Sequence, residues 1–239
     1  MGLAILNARM DARHESKGVG GMNVKLVSVT QPKIEGVDTA EDLVVYCARV
    51  SNPSSQEAGE NPERLLRYMV RHEHWSPFEM VELCMEIEAP RDISRQILRH
   101  WSFRFQEFSQ RYAVVQDMQS RECRLQDQTN RQNSIECADG NSVAGWWSRI
   151  QAIVARESRA VYDEAIRSGI AKEVARAVLP EGLTMSRLYM HGSLRSWLFY
   201  CRLRMKPETQ KEHREIAAKC WEIVCEQFPT VAAAFEEGV

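Results

Sequence analysis

A chain of 239 residues with Lys+Arg 31 against Asp+Glu 33 carries a formal charge of −2, which argues against a bulk electrostatic grip on duplex nucleic acid. Hydrophobic residues make up 44% and charged residues 27%, an ordinary globular mixture, and no apolar run nears the ~20 residues of a membrane-spanning helix. At this length a core forms without a disulfide or metal staple.

The seven cysteines (Cys47, Cys84, Cys123, Cys137, Cys201, Cys220 and Cys225) are scattered, odd in number and free of any C-x-x-C pair. They predict no disulfide framework, no zinc knuckle and a reducing, cytoplasmic setting. Cys201 and Cys220 read as small core hydrophobes.

In chain order, Met1 to Gly21 mixes charge with glycine and has no sustained period. It is expected to be a flexible leader or arm (1–22) ahead of one domain spanning 23–239. Asn23 to Thr30 alternates apolar and polar residues, which predicts a first strand. Thr39 can cap a helix reaching about Arg49, with Asp42 at the acidic position. Pro62, after Asn61, opens a helix that buries Leu65, Leu66, Met69 and Val70 and stops near His72. Val81, Leu83, Met85 and Ile87 then alternate with Glu82, Cys84, Glu86 and Glu88, a strand with one wet face. Pro90 ends it and permits a helix from Arg91 to His100. Arg121 to Asn141 is polar and aperiodic, which predicts a long loop. Helices are expected from Ser142 to Ser168, stopped by Gly169, and from Ala171 to Leu179, stopped by Pro180. Leu183 to Met190 suits either strand or helix. Ser193 to Arg204 and Glu208 to Phe228 read as helices parted by Lys206-Pro207, and Pro229 starts a last one. There is no repeat and no linker.

The segment Arg91 to Tyr112 carries the most chemistry. Its five arginines (91, 95, 99, 104 and 111) face only Asp92 and Glu107 as acids. On a helix, Gln96, Arg99 and His100 fall at i, i+3 and i+4 and share a face. An amide, a guanidinium and an imidazole together can read a heteroaromatic ring and hold a phosphate. Ser109 and Arg111, with backbone N–H groups between them, can cradle another phosphate. A solvated arginine-rich face explains the same residues, and spacing alone leaves both readings open. His72 and His74 suggest a metal pair, but no Cys or His cluster completes it, so no metal site is expected.

The spelling of this segment resembles the signature of the flavin-dependent thymidylate synthases: R-H-R, seven residues, S, then R-Y. Here it reads Arg99-His100-Trp101, seven residues, Ser109, then Arg111-Tyr112, with Gln96 ahead of it. Cys47-Ala-Arg-Val-Ser51, His72-Glu-His-Trp-Ser-Pro-Phe-Glu79, Val174-Ala-Arg-Ala-Val-Leu-Pro180 and Ser193-Leu-Arg-Ser-Trp197 with Leu203-Arg204 are similar to further segments of that family. The likeness runs from about residue 23 to the end.

The resemblance implies an α+β fold, a mixed sheet flanked by helices. It implies reductive methylation of dUMP to dTMP with methylenetetrahydrofolate, FAD and NADPH, in a homotetramer with shared active sites. It assigns flavin contacts to His74, Ser76, Arg99, His100, Trp101, Glu107, Ser193 and Arg195. It assigns the nucleotide to Gln96, Arg99, Glu107, Phe108, Ser109, Gln110, Arg111, Arg176 and Arg204. Arg204 is its catalytic candidate, a cation beside ring nitrogen 3 that activates the pyrimidine, and no cysteine nucleophile is needed. Glu79 is expected to be a supporting acid. Three positions depart from the family pattern: Trp101 in place of an arginine, Phe199 in place of a polar residue and Glu208 in place of a histidine. A rival reading is a nucleotide- or single-stranded-RNA-binding protein on the same fold, its bases stacked on Trp101, Phe103, Phe105, Phe108 and Tyr112.

Overall fold

The computed structural model describes residues 21–52, 54, 61–115, 117–138 and 140–237. The expected leader, up to residue 20, lies outside them. Strand β1 (Asn23–Val29) is followed by α1 (Ala40–Ala48), α2 (Pro62–Arg71) and a 3-10 turn, Ser76–Glu79. Strand β2 (Glu82–Pro90), helix α3 (Arg91–Ile97), strand β3 (Arg104–Glu107) and the pair β4 (Arg124–Gln126) and β5 (Ser134–Glu136) come next. The long helix α4 (Ser142–Arg167), short α5 (Lys172–Ala175) and strand β6 (Met185–Ser193) lead to α6 (Leu194–Arg204), α7 (Lys211–Gln227) and α8 (Pro229–Glu237).

The sheet is ordered β1-β2-β6-β3. Strict alternation in β2 buries Leu83, Met85 and Ile87 completely and turns Glu82, Glu86 and Glu88 to the other face. There, cross-strand partners pair by charge and hydrogen bond: Tyr189 donates to Glu86 at 2.9 Å and Arg187 to Glu88 at 2.6 Å. All three strand pairings are antiparallel, which corrects the expected mixed sheet. The like-directed strands β2 and β3 never meet, because β6 inserts between them. The same double pairing makes most of Leu183 to Met190, ambiguous in sequence, part of the central strand β6 from Met185 on, with Leu188 and Met190 buried.

The helices that cover the apolar face start where their caps dictate. Thr39 and Asp42 form a reciprocal capping box for α1, and the Ser193 hydroxyl caps α6. The indole N–H of fully buried Trp197 donates to the Leu83 carbonyl at 3.3 Å, which pins α6 across the sheet. Cys201 and Cys220 are buried in the core, as their positions suggested.

Arg121 to Asn141 contains the β4–β5 hairpin rather than being loop throughout. Polar groups close it: the Asp127 carboxylate accepts the N–H groups of Thr129 (2.8 Å) and Asn130 (3.1 Å), which hold it down at a pKa of about 2. Hydrophobic periodicity has nothing to register in such a turn. The Ala171 to Leu179 helix shrinks to α5 and a 3-10 turn, Arg176–Val178, because Leu179 before Pro180 is extended.

Gly192 in β6 has the ring of Phe103 above it, and an added Cβ would lie 2.5 Å from Phe103 Cδ1. Gly192→Ala should therefore destabilise the protein by about 1–3 kcal/mol, read as a lower denaturation midpoint, and Phe103→Leu in the same chain should recover part of the loss. An unchanged midpoint would mean that the sheet yields without cost.

Candidate active site

Helix α3 ends at Ile97 rather than His100, and the chain then tightens into successive three-residue turns: the Arg99 N–H donates to Gln96 and the His100 N–H to Ile97. Gln96 and His100 still point the same way, into the angle between the C-terminal end of α6 and the start of α7. There the Arg204 Nε donates to His100 Nε2 at 2.8 Å. An imidazole nitrogen can accept only when unprotonated. Burial, and then the guanidinium groups of Arg204 and Arg99, lower the His100 pKa to about 4, so the ring is neutral. The Nη groups of Arg204 donate to no other described residue and remain for a ligand.

Behind this pair runs a hydrogen-bond chain with one direction. His213 is fully buried and pushed down to about 3 by burial, Arg204 and His100. Its Nδ1 lies 3.3 Å from Gln96 Oε1 and its Nε2 lies 3.1 Å from the Tyr200 hydroxyl. With a neutral ring, Nδ1–H donates to the amide oxygen and the tyrosine donates to Nε2. Gln96 Nε2 donates to Gln210 at 2.8 Å and Gln210 donates to Glu212 at 3.0 Å. Arg124 holds Glu212 at 2.7 Å. Burial pushes the Glu212 carboxyl up, but its own backbone N–H and the neighbouring arginines outweigh it and leave the pKa low. Gln96 keeps one donor hydrogen and one acceptor lone pair unused, both fixed in direction.

At the other end of α3, β3 runs into a turn. The Phe108 N–H donates to the Arg187 carbonyl at 2.8 Å, Ser109 Oγ accepts the Arg111 N–H at 3.3 Å, and Tyr112 closes back on Ser109. Arg111 pairs with Glu173 at 3.1 Å, and the Arg176 Nε donates to the Glu173 carbonyl. Gln110 is only 4% exposed, yet its Nε2 has no partner. A buried orphan amide among cations fits a ligand acceptor such as a phosphate oxygen. Glu107 is committed to the fold: Ser186 donates to it at 3.0 Å, with Arg95 at 3.4 Å and Arg91 at 3.6 Å. Burial, with Arg95 and Arg176 nearby, lowers the Arg91 pKa against the pull of Glu107.

Ser193 and Arg195 sit at the start of α6, Arg195 nine residues from Arg204, or ~14 Å along the helix, with His74 and Ser76 close by. Arg195 pairs with Glu79 at 3.0 Å, and Ser193 spends its hydroxyl on the cap. Ser76 opens the adjoining 3-10 turn, and the His74 ring lies 5.7 Å from Tyr68. Phe199 packs edge-on against Trp75 at 5.0 Å, under the Arg202 guanidinium, so its apolar character serves packing. Arg99 is exposed, its guanidinium without a hydrogen-bond partner among the described residues, and Trp101 is 92% exposed. One chain thus brings Gln96, His100 and Arg204 together, gathers Ser109, Gln110, Arg111 and Arg176 a helix-length away, and leaves Arg195 apart.

Sequence reasoning missed Tyr200, Gln210, Glu212 and His213. A signal existed for His213, which begins the buried stripe continued by Ile216, Ala217, Cys220 and Val224. It also missed a groove of about 600 Å³ beside Gln210, walled by the β4–β5 hairpin and the starts of α4 and α7, where Arg124, Arg131, Lys211 and Arg214 face Trp146 and Trp147.

The α+β fold presents an anchored guanidinium, an oriented amide and a turn whose buried Gln110 amide lacks a partner, an arrangement suited to a planar anionic ligand. Residues 33–230 match the family model described as thymidylate synthase complementing protein, and the chain belongs to that family. A flavin-dependent thymidylate synthase from Synechocystis sp. is 48% identical over 220 residues, 90% of this chain and 100% of the relative. A probable flavin-dependent thymidylate synthase from Paramecium bursaria Chlorella virus 1 is 44% identical over 216 residues, 90% of this chain and 99% of the relative. Among solved structures, the UMP/dUMP methylase PolB from Streptomyces cacaoi, bound with 5-Br dUMP, superposes with a TM-score of 0.75 at 25% identity, covering 90% of this chain and 95% of that one.

His100 and His213 are neutral when folded but ordinary, near 6.5, when unfolded. Between that value and about 4 the unfolded chain binds protons that the folded chain refuses, so stability falls as pH drops through this window. Denaturant titrations at neutral and acid pH should show the fall, and His213→Gln should make it shallower. An identical slope in the variant would remove His213 as a source.

Proposed function

We propose that the chain is a flavin-dependent thymidylate synthase working in the cytoplasm, methylating dUMP to dTMP with FAD as its flavin, methylenetetrahydrofolate as one-carbon donor and NADPH as reductant. The observation that carries this reading is the Arg204–His100 bond beside Gln96, in a chain that covers 99% and 100% of the two relatives named above. Carbon 5 of uracil is a weak nucleophile until negative charge on the ring is stabilised. Anchoring Nε on a neutral imidazole aims the two Nη groups as a planar fork, which suits ring nitrogen 3 and an adjacent carbonyl. Gln96, held from behind, offers the complementary donor and acceptor. Ser109, Gln110, Arg111 and Arg176 take the nucleotide phosphate.

The flavin supplies the hydride chemistry that side chains lack. Its fit is supported by Arg99 and Trp101, a cation and an indole with free faces; Trp101 supplies stacking where the family has a guanidinium. His74, Ser76 and Arg195, remote along α6, suit a cofactor bound between subunits. Helix α4 supports a homotetramer: Val143, Trp146, Ile153, Val154 and Val161 form an exposed apolar stripe along it. Among the described residues no helix is long and apolar enough to cross a membrane. A binding protein without catalysis would leave the purified protein colourless.

Two outcomes test the reading. Arg204→Lys keeps the charge and loses the fork, so flavin bleaching by NADPH should survive anaerobically while dTMP formation falls by roughly 10²–10³. Formation of dTMP at the parental rate would remove Arg204 from the chemistry. Trp101→Ala should raise the FAD dissociation constant and leave dUMP binding alone; equal constants would mean that the indole faces away from the cofactor.

A further inference from the structure

Cys123 and Cys137 flank the β4–β5 hairpin and have no part in the chemistry above. Within the hairpin, Arg124 faces Glu136, Leu125 faces Ile135 and Gln126 faces Ser134. One more step along this ladder sets Cys123 opposite Cys137, and the two thiols are within hydrogen-bonding reach of each other. Facing residues of an antiparallel pair have Cα atoms ~4.5–5.5 Å apart, inside the ~4.4–6.8 Å span of disulfides. The register is braced from outside: Lys211 Nζ lies 2.8 Å from Glu122, two residues before β4, and 3.3 Å from Glu136, the last residue of β5. Both thiols are partly exposed, and both line a second cavity of about 320 Å³, roomy enough for a small oxidant. Cys201 and Cys220, by contrast, are sealed in the core.

We propose that Cys123 and Cys137 are a site of reversible oxidation, closing a cross-strand disulfide at the base of the hairpin. Hydrogen peroxide balances the step. One thiolate attacks a peroxide oxygen, the O–O bond breaks, and a sulfenic acid forms with loss of hydroxide, which is protonated to water. The second sulfur then attacks the sulfenic sulfur, the S–O bond breaks, and a second water leaves. Two thiols and one peroxide become one disulfide and two waters, and a dithiol reverses the change by exchange. Burial, and the hydrogen bond to Cys137, raise the Cys123 pKa, which slows attack by that thiolate at neutral pH.

The consequence is local and mechanical. The hairpin contributes Arg124 to Glu212, which in turn orients Gln210 and Gln96, and it walls the larger groove. A covalent clasp stiffens that wall without touching Arg204 or His100.

Mass spectrometry of the full-length protein tests this. After peroxide treatment, alkylation and tryptic digestion without reduction, the peptide Glu122 to Arg124 should be joined to the peptide Gln132 to Arg149, lighter by two hydrogens than their sum. Dithiothreitol should abolish the link, Cys123→Ser should prevent it, and Cys225→Ser should leave it intact. Hydrogen exchange between Leu125 and Ser134 should slow when the link is present. Recovery of both peptides alkylated as in untreated protein would overturn the proposal, and so would a link from either cysteine to a different thiol. The wild-type digest decides the matter even if a variant fails to fold.

Discussion

His100 accepts from Arg204 only while its imidazole is uncharged, and the rest of the site depends on that condition. A protonated ring would lose its acceptor and repel the guanidinium that it now orients. Two features of the fold enforce neutrality: the ring is partly buried, and the guanidinium groups of Arg204 and Arg99 lie near it. His213 repeats the arrangement one layer deeper, and its neutral tautomer gives the chain from Tyr200 to Glu212 its direction. Arg204 is thus a cation positioned by uncharged neighbours, which keeps its own charge available for a ligand.

The fold presents this cation at one end of α6 and Arg195 at the other. A rigid helix cannot bring residues ~14 Å apart onto one small ligand. An extended ligand or a site shared between copies can use both ends, and the bare indole of Trp101 and the apolar stripe of α4 are surfaces that water covers poorly. Tertiary structure also explains two departures from the family pattern. Phe199 is part of an aromatic cluster with Trp75 and Phe235, and Trp101 stands outside the core with its ring free.

Much of the fold was legible because apolar periodicity and capping chemistry are local. Thr39 with Asp42, Asn61 with Pro62, and the alternation from Val81 to Glu88 each marked an element that forms as read. The hairpin was illegible because it is closed by side-chain amides and an aspartate, which look like loop composition. The end of α3 was misplaced by three residues because i+3 and i+4 turns share the same sequence pattern there. In the site, Gln96, Arg99 and His100 came from helical spacing and the signature, and Arg204 from the separate likeness at Leu203-Arg204. Their supports, Gln210, Glu212 and His213, did not, because an amphipathic helix accommodates them without any distinctive spacing.

By itself the sequence determined the α+β class, the order of most elements and the family, since propensity, patterning and a signature broken only at Trp101 are properties of neighbouring residues. Only the tertiary structure decided that Arg204 meets His100 across 104 positions, that the sheet is antiparallel throughout, and that Cys123 faces Cys137. It also decided that both histidines are neutral. Those outcomes rest on burial and on which distant segments pack together, and a charge or a tautomer is set by that surrounding dielectric and its hydrogen bonds.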